Sequence, residues 1–299
     1  MSKLNACIVI ISSRKKCIKD CLLSLWEKYN HEHDYPVYVH YFDDIYDDKD
    51  FRNDITNSCE QNVIFKSVPY NTPSFLKEEE LYYNRKDLWY VKNSFSINRK
   101  GYLHMCHFTS NMYNYENTEI HNYDYVMTHD DESGYDSKME YDPFNVLSQL
   151  EHPIGAFFVG QRLKNGAPHQ GHLDTRVGLW EFTKNFMITN KIIPKSQQLK
   201  KILLDNNAEW NFHFLEWCDT YVIKTTMFKS ELWNKWITAV NESGGIYKHR
   251  WGDNNIISIF AHMYYNSIYD FDLVHSGPHN QGKFRSLQNY APNIKDIKK

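Results

Sequence analysis

The chain opens on an unbroken apolar run, Ala6-Cys-Ile-Val-Ile-Ile11, then Ser12-Ser13-Arg14, then Ile18, Cys21, Leu22, Leu25 and Trp26 on one helical stripe. A short run that is apolar at every position predicts a central strand covered on both faces, and the stripe predicts a helix packed against it. Pro36-Val-Tyr-Val-His-Tyr-Phe42, ended by Asp43-Asp44, reads as a second strand, and Val63-Ile-Phe65 as a third. Strand, helix, strand with loops at the carboxyl ends predicts an α/β fold built on an open, mostly parallel sheet flanked by helices. Further on, the pattern predicts a helix opening at Gly101, a strand from Tyr123, a short helix after Tyr141-Asp-Pro-Phe144 and a strand over Gly155–Val159. Tyr221-Val-Ile223 follows as a strand, then a helix from Ser230 through Val240, a helix from Ile256 to Tyr265 and a last strand from Asp270 to His275. Residues 70–100 carry no clear period and read as a lid or helical excursion; 162–208 read as a long surface loop followed by a helix. No repeat or linker divides the chain, so 1–299 is expected to be a single domain. Its expected halves are 5–145 and 146–285, with a tail at 286–299.

The strand from Tyr123 ends in Asp130-Asp-Glu132 followed by Ser133-Gly134. Adjacent carboxylates repel unless a cation sits among them, and loops at strand ends are where a rigid sheet holds chemistry. In extended geometry Asp130 and Glu132 project to one side, and hard oxygen donors suit Mn²⁺ or Mg²⁺. His275, ahead of a Gly-Pro turn, is the candidate third ligand and tilts the choice toward Mn²⁺; His279 is its alternative. Asp131, between the two acids, is a candidate for substrate binding.

Other polar groups gather at predicted element ends. Ser12 and Arg14, after the first strand, offer backbone donors and a cation to a nucleotide or its phosphates. Arg250-Trp-Gly-Asp253 opens a helix, where Asp253 is either its N-cap or the group that holds an acceptor or sugar hydroxyl, oriented by Arg250. Glu216, Asp219 and Tyr221 flank a short strand. A retaining sugar transferase needs a carboxylate or polar atom facing the anomeric carbon; Asp219 is the best-placed acid for it, with a turn or capping role as its equal alternative. Tyr102 and Trp251 are expected to supply apolar walls. There is no glycine-rich phosphate loop and no Gly-x-Ser-x-Gly elbow, which argues against P-loop kinases, dinucleotide enzymes and serine hydrolases.

Composition narrows the class further. With 41% apolar and 16% aromatic residues the chain can bury a core, and a net charge of -3 without a basic face argues against nucleic-acid binding. The cysteines complete no zinc site and read as reduced thiols. The first apolar run is too short to span a bilayer, so no membrane span is expected.

Several blocks together carry a resemblance: Tyr102-Leu-His-Met-Cys-His-Phe108, Tyr123-Asp-Tyr125 leading to the acids, Tyr141-Asp-Pro-Phe144, and Gly244-Gly-Ile-Tyr-Lys-His-Arg-Trp-Gly-Asp253. In these, and in their spacing from about residue 5 to 285, the chain resembles glycosyltransferase family 15, the fungal Golgi α-1,2-mannosyltransferases. The resemblance implies a GT-A fold, a GDP-mannose donor (with a UDP-sugar as the alternative), Mn²⁺, a glycan or glycoprotein acceptor, and transfer with retention. It puts the family's metal-binding glutamate on Asp130. The family's candidate nucleophile falls on Tyr221 and a nearby Asn on Asp219, so Asp219 takes over, the reaction runs by front-face displacement, or the chain is an inactive nucleotide- or sugar-binding protein. His107 stands where the family has an arginine, and with Tyr102 is expected at the nucleotide sugar. The family's C-terminal metal histidine lies in His-Pro-Pro; Val274-His-Ser-Gly-Pro-His279 here is closer to the His-x-x-Gly-Pro turn of family 8. Family members carry an N-terminal anchor, whereas this chain starts almost at its first strand, so a cytoplasmic protein is expected, of the kind a large DNA virus encodes.

Overall fold

Side chains along β1 (Ala6–Ser12) alternate between two cores and set the frame: Cys7 and Val9 face one while Ala6, Ile8 and Ile10 face the other, none more than 3% exposed. The computed structural model describes residues 3–12, 15–42, 46–69, 72–85, 99–115, 118–135, 138–157, 175–203, 220–266 and 268–271. β1 pairs in parallel with β2 (Val37–Tyr41) on one side and β4 (Tyr125–Asp130) on the other, and β3 (Val63–Ser67) extends the β2 edge in parallel. Beyond β4 the direction changes. β6 (Tyr221–Lys224) is antiparallel to both β4 and β5 (Ile154–Ala156), and the short β7 (Tyr269–Asp270) runs parallel to β5. The order β3-β2-β1-β4-β6-β5-β7 is a mixed, mostly parallel sheet of the expected class, and it joins strands from both expected halves of the chain.

Helices cover both faces, as the apolar strands require. α1 (Lys15–Lys28), α2 (Lys49–Cys59) and α4 (Pro143–Ser148) bury Ile18, Leu22, Leu25, Ile55, Phe144 and Leu147 against one face. α3 (Arg99–Asn111), α5 (Leu179–Thr189), α6 (Gln197–Leu203), α7 (Glu231–Ser243), α8 (Gly245–His249) and α9 (Asp253–Tyr264) cover the other. The described residues of the stretch expected to be a loop and then a helix contain two helices, α5 and α6. Their buried positions (Leu179, Trp180, Thr183, Phe186, Met187; Leu199, Ile202) are interleaved with Asn, Lys and Gln. Within 70–100, Glu78–Glu80 and Tyr82–Asn84 are short 3-10 turns, and 86–98 lie outside the described residues. Among the described residues no helix is long and apolar enough to cross a membrane.

The Tyr141-Asp-Pro-Phe144 block is a structural anchor. Asp142, 7% exposed, caps α4 by accepting from the Phe144 N–H at 3.0 Å, and Pro143 suits the first turn. The same carboxylate accepts from the Tyr29 and Tyr35 hydroxyls at 2.9 Å each, tying α4 to the end of α1 and the approach to β2. Asp142→Ala removes the cap and leaves two buried phenols unpaired, and is expected to cost about 3–5 kcal/mol. Thermal unfolding followed by circular dichroism checks this: a drop of about 10 °C is expected, and Asp142→Asn, which keeps an acceptor, loses less.

Candidate functional site

The chain winds from β1 outward to β2 and β3, then returns to place β4 on the other side of β1. Such a reversal opens a crevice at the carboxyl ends of the two strands, where open α/β sheets bind ligands. Ser12 ends β1 here, and Asp130, in register with Ile11, ends β4. Because β6 is antiparallel, its first residue, Tyr221, arrives at this same edge opposite Thr128.

The three acids have different roles in the fold. Asp131 is 1% exposed and accepts from Ser12 Oγ at 2.6 Å; with the serine proton committed, the Tyr46 hydroxyl donates to Ser12 Oγ, also at 2.6 Å. Ser12 and Asp131 therefore clamp the two strand ends together, with their side chains turned inward. Asp130 is half-buried on the opposite face, in line with Val126 and Thr128, and borders a small cavity of about 50 Å³. The shared projection expected of Asp130 and Glu132 does not follow, because the strand stops at Asp130 and the Ser133 N–H closes a turn onto the Asp130 carbonyl at 3.1 Å. Glu132 lies in that turn, half-buried. Behind it His129 donates from Nδ1 to the Asp130 carbonyl at 2.9 Å, and burial lowers its pKa to about 4.

The cavity is roofed by one face of α3, with Tyr102, Met105 and Thr109 at helical spacing, and by Asp253 and Asn254 at the start of α9. Asp253 is the first helical residue and Gly252 occupies the cap position, so the N-cap role expected for Asp253 is corrected; its carboxylate still sits favourably at the positive end of the helix. Burial and then the Asp253 charge push the Tyr221 phenol well above its ordinary pKa, so it is neutral near pH 7. Burial and then Asp253 likewise hold Cys106, beneath Tyr102, as a thiol.

Arg250 is a non-glycine residue with left-handed backbone (φ 59°, ψ 36°), and its guanidinium lies 4.1 Å over the Tyr102 ring. The neighbouring residue holds it there. Trp251 is 3% exposed, donates from Nε1 to the Val177 carbonyl at 2.9 Å, and lies so close to Gly245 that a Cβ there would come within 2.2 Å of the indole. Trp251 is thus a buried anchor for the Arg250–Asp253 segment instead of the accessible wall expected of it. His107 lies off the cavity face of α3, with Nδ1 3.3 Å from the Tyr115 hydroxyl and its ring 5.5 Å from that of Tyr247.

Of the expected site residues, Asp130, Tyr102, Tyr221 and Asp253 converge on one cavity, with Arg250 against its wall. Arg14, Asp219 and His275 lie outside the described residues, as do Glu216 and His279. Met105, Thr109, Thr128 and the Tyr46 hydroxyl were not anticipated; the 102/105/109 spacing on α3 is the signal that could have found two of them. Among the described residues no three His, Cys, Asp or Glu side chains group as metal ligands. The carboxylate at the cavity edge is nevertheless the hard oxygen donor that Mn²⁺ or Mg²⁺ takes, so the residues present fit part of such a site.

Residues 1–271 match the family model described as glycolipid 2-alpha-mannosyltransferase. The chain belongs to that family. One relative is the O-glycoside alpha-1,2-mannosyltransferase omh1 of Schizosaccharomyces pombe, 23% identical over 271 residues that make up 88% of this chain and 65% of that protein. Another is the probable mannosyltransferase KTR2 of Saccharomyces cerevisiae, 23% identical over 257 residues, 80% of this chain and 57% of that one. The chain thus spans less than two thirds of the length of either. Among solved structures, the mannosyltransferase Ktr4p from S. cerevisiae in complex with GDP superposes with a TM-score of 0.71 at 19% identity, covering 92% of this chain and 71% of that one. Core-mannan synthase A from Aspergillus fumigatus, in its Mn/GDP form, gives 0.72 at 16%, covering 92% and 75%. These likenesses establish the GT-A-type fold.

Burial sets a pH dependence on this family member. His40, His129 and His262 are at most 2% exposed, and desolvation lowers their pKa values to about 3, 4 and 4. The unfolded chain takes up protons on these residues below about 6.5 while the native chain does not. Their contribution to stability is therefore present above about pH 6.5 and is lost as pH falls toward 4, at about 1.4 kcal/mol per pH unit for each. A melting temperature several degrees lower at pH 5.0 than at pH 7.5 is expected; a flat profile contradicts the assignment.

Proposed function

We propose that the protein is a metal-dependent, retaining glycosyltransferase that moves mannose from a nucleotide sugar, GDP-mannose, to a hydroxyl of a glycan or glycoprotein. The observation that carries this reading is the convergence of Asp130, Asp253, Tyr102 and Tyr221 on one cavity at the reversal point of the sheet. Relatives named as mannosyltransferases, and neighbours solved with GDP and with Mn/GDP, support the donor and the cation. Asp130, with Glu132 and His275, would hold Mn²⁺ or Mg²⁺. When bound, the cation neutralises charge on the diphosphate.

The chain's own residues supply the rest. Asp253 accepts hydrogen bonds from hydroxyls of the sugar or the acceptor, and its place at the start of α9 sets a negative charge favourably at the positive end of the helix. Arg250, fixed by its stack on Tyr102 and by the Trp251 anchor, orients those hydroxyls and offers positive charge to an anionic donor. Tyr221 contributes a neutral phenol able to donate a hydrogen bond. In this reading Asp219 faces the anomeric carbon and Ser12 and Arg14 lie at the nucleotide, Ser12 through its backbone because its hydroxyl is bonded to Asp131.

With GDP and Mn²⁺ at about a hundred times their dissociation constants, stabilisation of about 2.7 kcal/mol is expected, read as a higher melting temperature; UDP is expected to do less. Release of GDP from GDP-mannose should stop with EDTA and fall about a hundredfold or more in Asp130→Asn. A UDP preference removes the donor assignment. Turnover that survives Asp130→Asn removes the role of that carboxylate, and nucleotide binding without sugar release makes the chain a binding protein.

A further inference from the structure

A second cavity among the described residues lies apart from the one beside Asp130. It is a groove of about 600 Å³ between α5 and α7, within the range that holds small-molecule ligands. Its floor is aromatic. Phe182 is set against Trp236 and Trp251 with ring centroids 5.5 and 5.2 Å away, and Phe186 meets Trp236 edge-on at 4.9 Å, so both rings are fixed from behind. Ala239, small and half-buried, leaves room over this floor. The rim carries amides and a hydroxyl: Asn185, Asn234 and Thr238, all exposed, whose side chains bond no other described residue.

The charge of the lining limits what the groove can take. Glu231 and Glu242 outnumber Lys235, so a phosphate-bearing ligand or nucleic acid would meet net negative charge. An apolar aromatic floor edged by neutral donors and acceptors suits a ligand with a carbon-hydrogen face and a ring of hydroxyls. We infer that the α5–α7 groove is a binding site for a neutral oligosaccharide, separate from the cavity beside Asp130. This rests on the glycosyltransferase reading for the identity of the sugar, and it deepens that reading by making the acceptor an oligosaccharide and not a monosaccharide. The two sites adjoin one anchor: Phe182 in the groove packs on Trp251, which holds the segment of Arg250 and Asp253.

The test is calorimetric titration with α-1,2-linked mannotriose and with mannose, using the full chain, its Thr238→Trp variant, which fills the groove from an exposed helix position, and its Asn234→Ala variant. Mannotriose is expected to bind tighter than mannose, and Thr238→Trp to weaken it by about tenfold or more, with Asn234→Ala weakening it less. In turnover, Thr238→Trp should raise KM for the mannotriose acceptor while leaving hydrolysis of the donor by water within about twofold. Mannotriose binding no tighter than mannose, or binding unaffected by Thr238→Trp, overturns the groove. Groove-dependent binding in a chain that never releases GDP upholds the groove while the transferase reading fails. Turnover of donor with mannotriose KM indifferent to Thr238→Trp rejects the groove and leaves the transferase reading standing.

Discussion

The rest of the site depends on one buried hydrogen bond, from Ser12 Oγ to the Asp131 carboxylate. Three consecutive acids at the end of a strand cannot all face the same space at tolerable cost. The fold separates them by turning the chain directly after β4. Asp131 goes inward, where Ser12 meets its carboxylate and Tyr46 extends the network through the serine, while Asp130 stays on the cavity face. A hydrogen bond to a buried carboxylate contributes about 1.5–3 kcal/mol, and here it adds a side-chain tie beyond the ladder that already spaces β1 and β4. Without it the turn after β4 would lose its tie to the end of β1, the tie that keeps Asp131 out of the space Asp130 borders.

Strands and helices with a clean period were legible in the sequence because burial alone determines them. The run in β1 and the stripe in α1 each have a single solution, and Ile18, Leu22 and Leu25 are buried where the stripe puts them. Direction was not legible, since the residues of β6 look the same whichever way the strand runs. That direction is what brings Tyr221 to the edge where Asp130 lies. The helix α5 was obscured for another reason: its first residues follow a stretch of Gly, Pro and His, and its apolar positions alternate with Lys and Asn.

Within the site, chemistry was more legible than accessibility. Asp130, Asp253 and Tyr102 could be named because acids at strand ends and polar residues at helix starts have few structural roles. Trp251 was misjudged because an aromatic residue inside a polar block reads equally as a wall or as an anchor. Only Gly245 passing beneath it and the Val177 carbonyl beside it decide for the anchor. The common projection of Asp130 and Glu132 was misjudged because two residues apart means one side only while the backbone stays extended, and the turn begins between them. The blocks that resemble the family therefore divide in two. Tyr141-Asp-Pro-Phe144 maintains the fold from the opposite face, whereas Arg250-Trp-Gly-Asp253 carries groups that reach the cavity.

Charge then links the cavity to the chemistry proposed for it. Asp130 and Asp253 border the same small space, and the Arg250 guanidinium lies over Tyr102 at its wall. With both acids ionised, two carboxylates against one guanidinium leave that space net negative, which disfavours a diphosphate approaching unaccompanied. A hard divalent cation at Asp130 would reverse the local sign, while Asp253, on the far element, would remain available to hydroxyl groups. The α5–α7 groove has no such problem, since a neutral sugar is indifferent to a surplus carboxylate and gains from a fixed aromatic face. On the two proposals, surfaces of opposite requirement would adjoin one buried tryptophan, the charged one calling for a cation and the neutral one only for shape.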